Sequence, residues 1–152
     1  MKAIVYTQHG LPIEDPQSLH EQNLPEPAPG PRDLRVKVRA IAVNPVDMKV
    51  RTGSATQEPC ILGWDAVGLV ESMGHAVTLF NPGDEVFYAG SIARPGCYAK
   101  YSVLDERITG SKLNSLSDAE AAALPLTSIT ARGNCCLNAS AFPRVVVRVR
   151  PC

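Results

Sequence analysis

The segment LRVKVRAIAV, residues 34–43, constrains the fold most because it opens with a strict alternation of apolar and charged side chains. Leu34, Val36 and Val38 fall on one side of an extended chain, and the arginines and lysine between them fall on the other. Alternation at period two predicts a half-buried antiparallel strand.

The other strand candidates are short, and glycine and proline separate them. The chain has 11 glycines and 13 prolines. LPEPAPGPRD at 24–33 predicts an irregular connection, and NPGD at 81–84 predicts a tight turn. Short strands separated by turns rich in glycine and proline are typical of a small barrel or sandwich. The candidates are Lys2–Tyr6, 66–73, 85–89 and 97–103.

The pattern becomes helical after Ser115. Ser117 followed three residues later by Glu120 predicts a capping box and therefore a helix start. Pro125 ends or kinks this helix, and a second helix is expected to begin near 126 or 127. The predicted fold class is mainly β with short C-terminal helices.

Composition excludes several classes of protein. A length of 152 residues suits one domain, and a formal net charge of zero argues against a nucleic-acid partner. No apolar run approaches the roughly 20 residues that span a bilayer. The apolar run at the N-terminus is also too short for a signal peptide. A soluble cytoplasmic protein is expected. The 5 cysteines include no CxxC pair, which argues against a structural zinc.

Five segments in order resemble the N-terminal domain of the medium-chain dehydrogenase/reductase superfamily, in its zinc-type alcohol dehydrogenase-like and quinone oxidoreductase branch. The resemblance covers residues 1–131 and implies a GroES-like β-barrel. In that family a Rossmann domain follows and binds NADP(H) across the cleft between the domains. The segments are MKAIVY, VRAIAVNPVDMKVRTG, ILGWDAVGLVESMG, VTLFNPGDEVFYAG and SDAEAAALPLTSITA.

The resemblance also bears on metal binding. Zinc-dependent members carry a cysteine where this chain has Asn44, and a histidine–glutamate pair where it has Trp64 and Asp65. An amide and an indole are not zinc ligands. The chain therefore resembles zinc-free members, which deliver hydride to a quinone or an activated C=C bond. A zinc enzyme using Asp65 and Cys60 is the less favoured alternative.

By the same resemblance, Asn44 and Thr127 are expected beside the nicotinamide, as catalytic and cofactor-binding residues. Asp47, Trp64 and Tyr88 are expected to line the substrate cleft. Without a metal, a reductase must polarise the substrate carbonyl through hydrogen bonds. Each residue also has a structural interpretation: a turn for Asn44, capping of the short following turn for Asp47, a helix cap for Thr127, and packing for the two aromatic residues.

The sequence after Ala131 departs from the family, whose members continue TAWE into an amphipathic helix. Reading RGNCCLNASAF degenerately from the third base of its first codon permits WELLFERLGI. The two shifted codons over Asn134, Cys135 and Cys136 have the form YTG and encode leucine in either case. Residues 132–152 are therefore predicted to be an aberrant, out-of-frame tail.

The chain contains no G-x-G-x-x-G fingerprint for the pyrophosphate of a dinucleotide. It is expected to bind no NADP(H) tightly and to be inactive alone, and to self-associate through the exposed domain interface. A stand-alone GroES-like binding module without redox activity is the alternative function.

Overall fold

The computed structural model describes residues 1–53, 56 and 58–133. Its strands form two antiparallel sheets. The smaller sheet has the order β2-β1-β4, and the larger has the order β7-β3-β5-β6-β8. The strands are β1 Lys2–Tyr6, β2 His20–Asn23, β3 Asp33–Ala42, β4 Cys60–Ile61, β5 Asp65–Met73, β6 Glu85–Ala89, β7 Tyr101–Asp105 and β8 Thr109–Ser111.

A short extended segment, residues 98–100, joins the two sheets. On one side, the amide of Ile4 donates to the Tyr98 carbonyl at 2.7 Å, and the amide of Lys100 donates to the Lys2 carbonyl at 3.0 Å. On the other side, the amide of Val38 donates to the Lys100 carbonyl at 3.1 Å. Both sheets thus use this segment as a shared edge, which closes the barrel and leaves fewer unpaired backbone groups.

The main core lies beneath β3. Leu34 and Val36 are fully buried, and they belong to one apolar cluster with Val70 of β5 and Val86 of β6. Lys37 on the opposite side is exposed, as the alternation predicts. The barrel strand and the mainly β fold class are confirmed.

Three helices accompany the barrel: α1 Pro45–Gly53, α2 Asp118–Ala122 and α3 Pro125–Arg132. The predicted capping box is present, since Ser117 and Glu120 bond each other's backbone amides. Pro125 is the first residue of α3, a position where its missing N–H costs no helical bond. In the described part of the chain no helix has the length and hydropathy needed to cross a bilayer.

Several elements were not predicted. Helix α1 was expected only as a turn, and β2, β4 and β8 carry no alternation because they have two to four residues each. The strand expected over 97–103 begins at Tyr101, since the residues before it bond elsewhere. The amides of Cys97 and Tyr98 donate to the carbonyls of Gly63 and Leu62.

A buried carboxylate holds three loops of the barrel together. Glu106 has no solvent exposure, and its Oε2 accepts hydrogen bonds from the amides of Thr78 and Leu79, each at 2.8 Å. Its Oε1 accepts from Arg32 Nη1 at 2.9 Å. The two backbone N–H groups, helped by the arginine, lower the pKa of Glu106 below its ordinary value.

We expect Glu106→Gln to lower the urea midpoint at pH 7, because glutamine has one acceptor oxygen where the carboxylate has two. A pKa lowered by folding stabilises the protein above the unfolded pKa, and this contribution is lost as pH falls through the folded pKa. The difference from the unsubstituted protein should therefore shrink below about pH 4.5, the ordinary glutamate value. Glu14→Gln, at an exposed position, is the control and should leave the midpoint unchanged at both pH values.

Candidate functional site

Asn44 lies where β3 has ended and α1 begins. The first helical residue is Pro45, so Asn44 occupies the N-cap position of α1. The Asp47 carboxylate, three residues on, accepts a hydrogen bond from the Asn44 backbone amide at 2.7 Å. This is the return half of a capping box, and it fixes the Asn44 backbone. The predicted capping role of Asp47 is therefore present in the structure.

The side chain of Asn44 is held by a second carboxylate, that of Asp65 at the start of β5. Asp65 has no solvent exposure. Its Oδ2 accepts from Asn44 Nδ2 at 3.2 Å, and its Oδ1 accepts from the Leu126 backbone amide at 3.1 Å. Burial raises the pKa of Asp65, while the hydrogen bonds from Leu126 and Asn44 oppose that rise.

The bond to Leu126 caps α3 from a distant part of the chain. The N-cap residue of α3, Leu124, makes no side-chain capping bond. Asp65, 61 residues earlier, supplies the missing acceptor. A carboxylate at a helix N-terminus is also favoured by the helix dipole. Asp65 thus accepts hydrogen bonds from both the Asn44 side chain and the N-terminus of the helix that carries Thr127.

Thr127 is exposed in the first turn of α3. Its hydroxyl donates to the carbonyl of Ala123 at 2.8 Å and also lies 3.0 Å from the carbonyl of Leu124. The single hydroxyl proton is therefore directed into the helix, and Oγ1 is left with acceptor capacity. Thr127 directly follows Leu126, so the Asp65 cap places it.

Asp47 is buried, and it lines an open cavity of about 400 Å³ together with Met48 and Tyr98. Its Oδ2 also accepts from the Tyr98 hydroxyl at 3.0 Å, while its Oδ1 is buried without a hydrogen-bond partner. Burial, followed by the bond to Asp47, raises the pKa of Tyr98. Tyr98 was not singled out from the sequence, because its role arises from contact with a residue 51 positions away.

Trp64 lies beside Asp65 in sequence but faces a different environment. It is 4% exposed, and its indole Nε1 donates to the Arg94 carbonyl at 3.2 Å. It also lines an open groove of about 620 Å³ together with Cys60 and Ile92. Packing and groove lining are therefore combined in this one side chain.

Tyr88 differs from its predicted placement in a substrate cleft. The structure places it 2% exposed in the main barrel core, with its hydroxyl enclosed. The reason is strand geometry: alternate residues of β6 point into the core, and Tyr88 shares that side with Val86. Burial raises the pKa of Tyr88, so it stays protonated at neutral pH.

The residues at the family's zinc position do not fit a zinc ion. Asn44 offers an amide and Trp64 an indole, and both oxygens of Asp65 already accept hydrogen bonds. Over residues 1–53, 56 and 58–133 no three His, Cys, Asp or Glu side chains come together in a way that could hold a metal. The Cys97 thiol is buried, which raises its pKa to about 12 and disfavours the thiolate that zinc binds.

Comparisons with known proteins agree on one family. The alcohol dehydrogenase GroES-like domain matches residues 30–113. A zinc-type alcohol dehydrogenase-like protein of Staphylococcus aureus is 48% identical over 125 residues, covering 78% of this chain and 38% of that protein. The chain thus spans about two fifths of the length of this curated relative.

Solved structures give the same result. The quinone oxidoreductase of Coxiella burnetii is 33% identical with a TM-score of 0.77, covering 89% of this chain and 45% of that one. The mycobacterial protein Rv1454c, solved in complex with NADPH, is 30% identical with a TM-score of 0.78 and covers 94% of this chain and 42% of that one.

Gly63 positions the site, because it has a φ of +86° and its Cα lies against the Tyr98 ring. A Cβ at Gly63 would overlap that ring, whereas a Cβ at Gly83, whose φ is +98°, would meet nothing within 4 Å. We expect Gly83→Ala to cost about 1–2 kcal/mol through backbone strain alone. Gly63→Ala should cost roughly 2 kcal/mol more, because overpacking is added to the same strain.

Urea unfolding of both variants measures the difference. Equal losses of unfolding free energy would show that Tyr98 does not pack against Gly63. Because Tyr98 bonds Asp47, only Gly63→Ala should also shift the Asn44 backbone amide resonance.

Proposed function

Because the chain belongs to the alcohol dehydrogenase GroES-like domain family, we propose that it is the N-terminal catalytic domain of a zinc-independent, NADPH-dependent quinone or enone reductase. The observation that carries this proposal is the Asn44 site. It stands where zinc members bind metal, yet Asp65 holds an amide there, and the residues that the structure describes place no zinc ligand set around it. The quinone oxidoreductase and the NADPH complex among the similar structures support the reaction and the cofactor.

The proposed cofactor contact lies where the N-terminal ends of α1 and α3 are both hydrogen-bonded to Asp65. Asn44 and Thr127 would hold the nicotinamide end, which fits their placement on the two elements that Asp65 fastens. NADPH, when bound, supplies the hydride. The residues of this chain orient the ring. The groove that Trp64 lines, which includes neither Asn44 nor Thr127, is the proposed wall for an uncharged acceptor. Asp47 acts by holding the Asn44 backbone.

A further domain would complete this site. Large apolar side chains stand exposed near Asn44 and on α3, with Val43 78% and Ile129 59% accessible. Apolar surface beside a polar site is typical of a face that another body covers. We place the cofactor-binding domain of the full-length family there. Self-association through the same face and a cytoplasmic location stay predictions.

The domain division is likewise proposed: residues 1–131 form the GroES-like domain, and residues 132–152 are an out-of-frame tail. Of that tail, residues 134–152 lie outside the described part of the chain. The coding DNA tests the division. A one-base shift near the Ala131 codon should recover WELLFERLG, and its absence would refute the frameshift.

The 152-residue chain alone is predicted not to catalyse NADPH oxidation with a quinone acceptor. Hydride transfer requires the cofactor to be held against the acceptor, and no pyrophosphate fingerprint is available for that. The loss of NADPH absorbance should match a protein-free control. A saturable rate above that control would contradict the prediction.

Joining residues 1–131 to the cofactor domain of a quinone oxidoreductase relative is predicted to restore NADPH-dependent quinone reduction. In this chimera Asn44→Ala should lower kcat/KM by roughly 10-fold or more, because a preorganised polar contact at the reacting ring is lost. Steady-state kinetics with NADPH and a benzoquinone measure the effect.

Asn23→Ala, at an exposed position of β2, is the matched control and should retain full activity. EDTA should leave the rate unchanged, since no zinc is involved. A folded but inactive chimera, or a rate that depends on added zinc, would overturn the proposed function.

A further inference from the structure

We propose that Asp65 is a positioning residue that turns the Asn44 amide so that its carbonyl oxygen, and not its NH₂ group, faces the cleft. The cleft would then offer hydrogen-bond acceptors and select a planar ligand bearing an N–H or O–H donor, such as a primary carboxamide. This inference rests on the proposed function for the identity of the cleft, and it adds which end of the Asn44 amide a ligand meets.

The orientation of Asn44 follows from what surrounds its nitrogen. Nδ2 lies 3.2 Å from Oδ2 of Asp65 and 3.4 Å from the Ala42 carbonyl. A carboxylate and a carbonyl only accept, so the amide must direct both N–H bonds at them. The reversed amide would set an oxygen against two other oxygens. In the described part of the chain nothing donates to Asn44 Oδ1, so that oxygen is the group left for a ligand.

The Leu126 bond explains why Asp65 stays an acceptor. Its Oδ1 receives the backbone N–H that begins α3, at 3.1 Å, and that donor cannot be reversed. Both carboxylate oxygens therefore face N–H groups. Glutamate at this point would place its oxygens one methylene further out, so the length of the aspartate also matters.

Thr127 presents the same polarity as Asn44. Its hydroxyl proton points to the carbonyl of Ala123 at 2.8 Å, which leaves Oγ1 with lone pairs. Asn44 and Thr127 thus both offer acceptors. The NH₂ group of Asn44 and the hydroxyl proton of Thr127 are both directed toward acceptors within the protein. A substrate carbonyl, which only accepts, would find no donor on either side chain.

Exposed apolar residues lie close to both acceptors in the sequence. Val43 precedes Asn44 and is 78% exposed, and Ile129 is two residues beyond Thr127 and 59% exposed. A flat ring with one donor group suits such a surface. Two sources share that chemistry: the carboxamide of a nicotinamide ring, and the hydroxyl of a reduced quinone. The acceptor pair does not by itself separate them, so both are tested.

The first experiment needs no ligand and no variant. In ¹⁵N-labelled wild-type chain, the Asn44 side-chain NH₂ protons should exchange at least several-fold more slowly than those of exposed Asn23. Their resonances should also lie downfield of those of Asn23, because both are bonded to oxygen. Equal exchange and free-amide shifts at the two residues would overturn the orientation of Asn44.

The second experiment compares ligands that differ only in the donor. Nicotinamide and 3-acetylpyridine share a ring and a carbonyl, but the second carries CH₃ in place of NH₂. We expect nicotinamide to perturb Asn44 and Thr127 with an affinity about two- to tenfold higher, the usual effect of one neutral hydrogen bond. Hydroquinone against 1,4-dimethoxybenzene tests the other source. Equal or reversed preference in both pairs would overturn the acceptor assignment.

The variant Asp65→Asn separates positioning from folding. Its Oδ1 can still accept from Leu126, so the Leu126 amide should stay protected. Its NH₂ would then face Asn44 and force that amide to turn its own NH₂ outward. The ligand preference should therefore vanish or reverse in favour of 3-acetylpyridine, which a purely structural role would not produce. An unchanged preference with Leu126 protected would contradict the inference.

These outcomes also separate this inference from the proposed function. A protected Asn44 amide with no response to any of the four ligands would count against the cleft and hence against the proposed function. Ligand binding at Asn44 with an unprotected amide would count against the role of Asp65 alone.

Discussion

The buried carboxylate of Asp65 is the interaction on which the site depends. One carboxylate oxygen accepts a hydrogen bond from the side chain of Asn44, which follows β3. The other accepts a hydrogen bond from the backbone amide of Leu126, at the start of α3. An ionised carboxylate without solvent is costly unless its oxygens are bonded, and the described residues place no cation among its partners. The two N–H groups meet that requirement. Removing either N–H group would leave a buried carboxylate oxygen without a hydrogen-bond donor. The barrel and the helix are therefore held in one arrangement.

Barrel closure and site geometry share the same residues. The segment 98–100 bridges the two sheets through backbone bonds, and Tyr98 within it also donates to Asp47. Asp47 in turn holds the backbone of Asn44. The backbone of Asn44 is therefore held by Asp47, which Tyr98 of the closing segment supports, and its side chain is held by Asp65. A rigid support of this kind is what a polar group needs if it is to recognise a ligand precisely.

We propose that the domain carries one side of a cleft. Val43 and Ile129, which are close in sequence to Asn44 and Thr127, have exposed apolar side chains, and the chain spans 38% of a curated relative. The same position that binds metal in zinc-dependent members is here occupied by an amide and a packed indole. Recognition of a planar, uncharged ring by acceptors and apolar surface is consistent with that replacement, since it requires no Lewis acid.

Local patterns in the sequence were sufficient for β1, β3, β6 and the capping box at Ser117, because alternation, turns and caps act over a few residues. The resemblance added the family. Only the tertiary structure showed that Tyr88 belongs to the core, that Asp65 is an acceptor for two distant donors, and that Tyr98 supports Asp47. The roles of Asp65 and Tyr98 depend on pairs 21, 51 and 61 residues apart, which meet only after the barrel closes. No local propensity encodes such a meeting, so the chemistry of the site was decided by the fold.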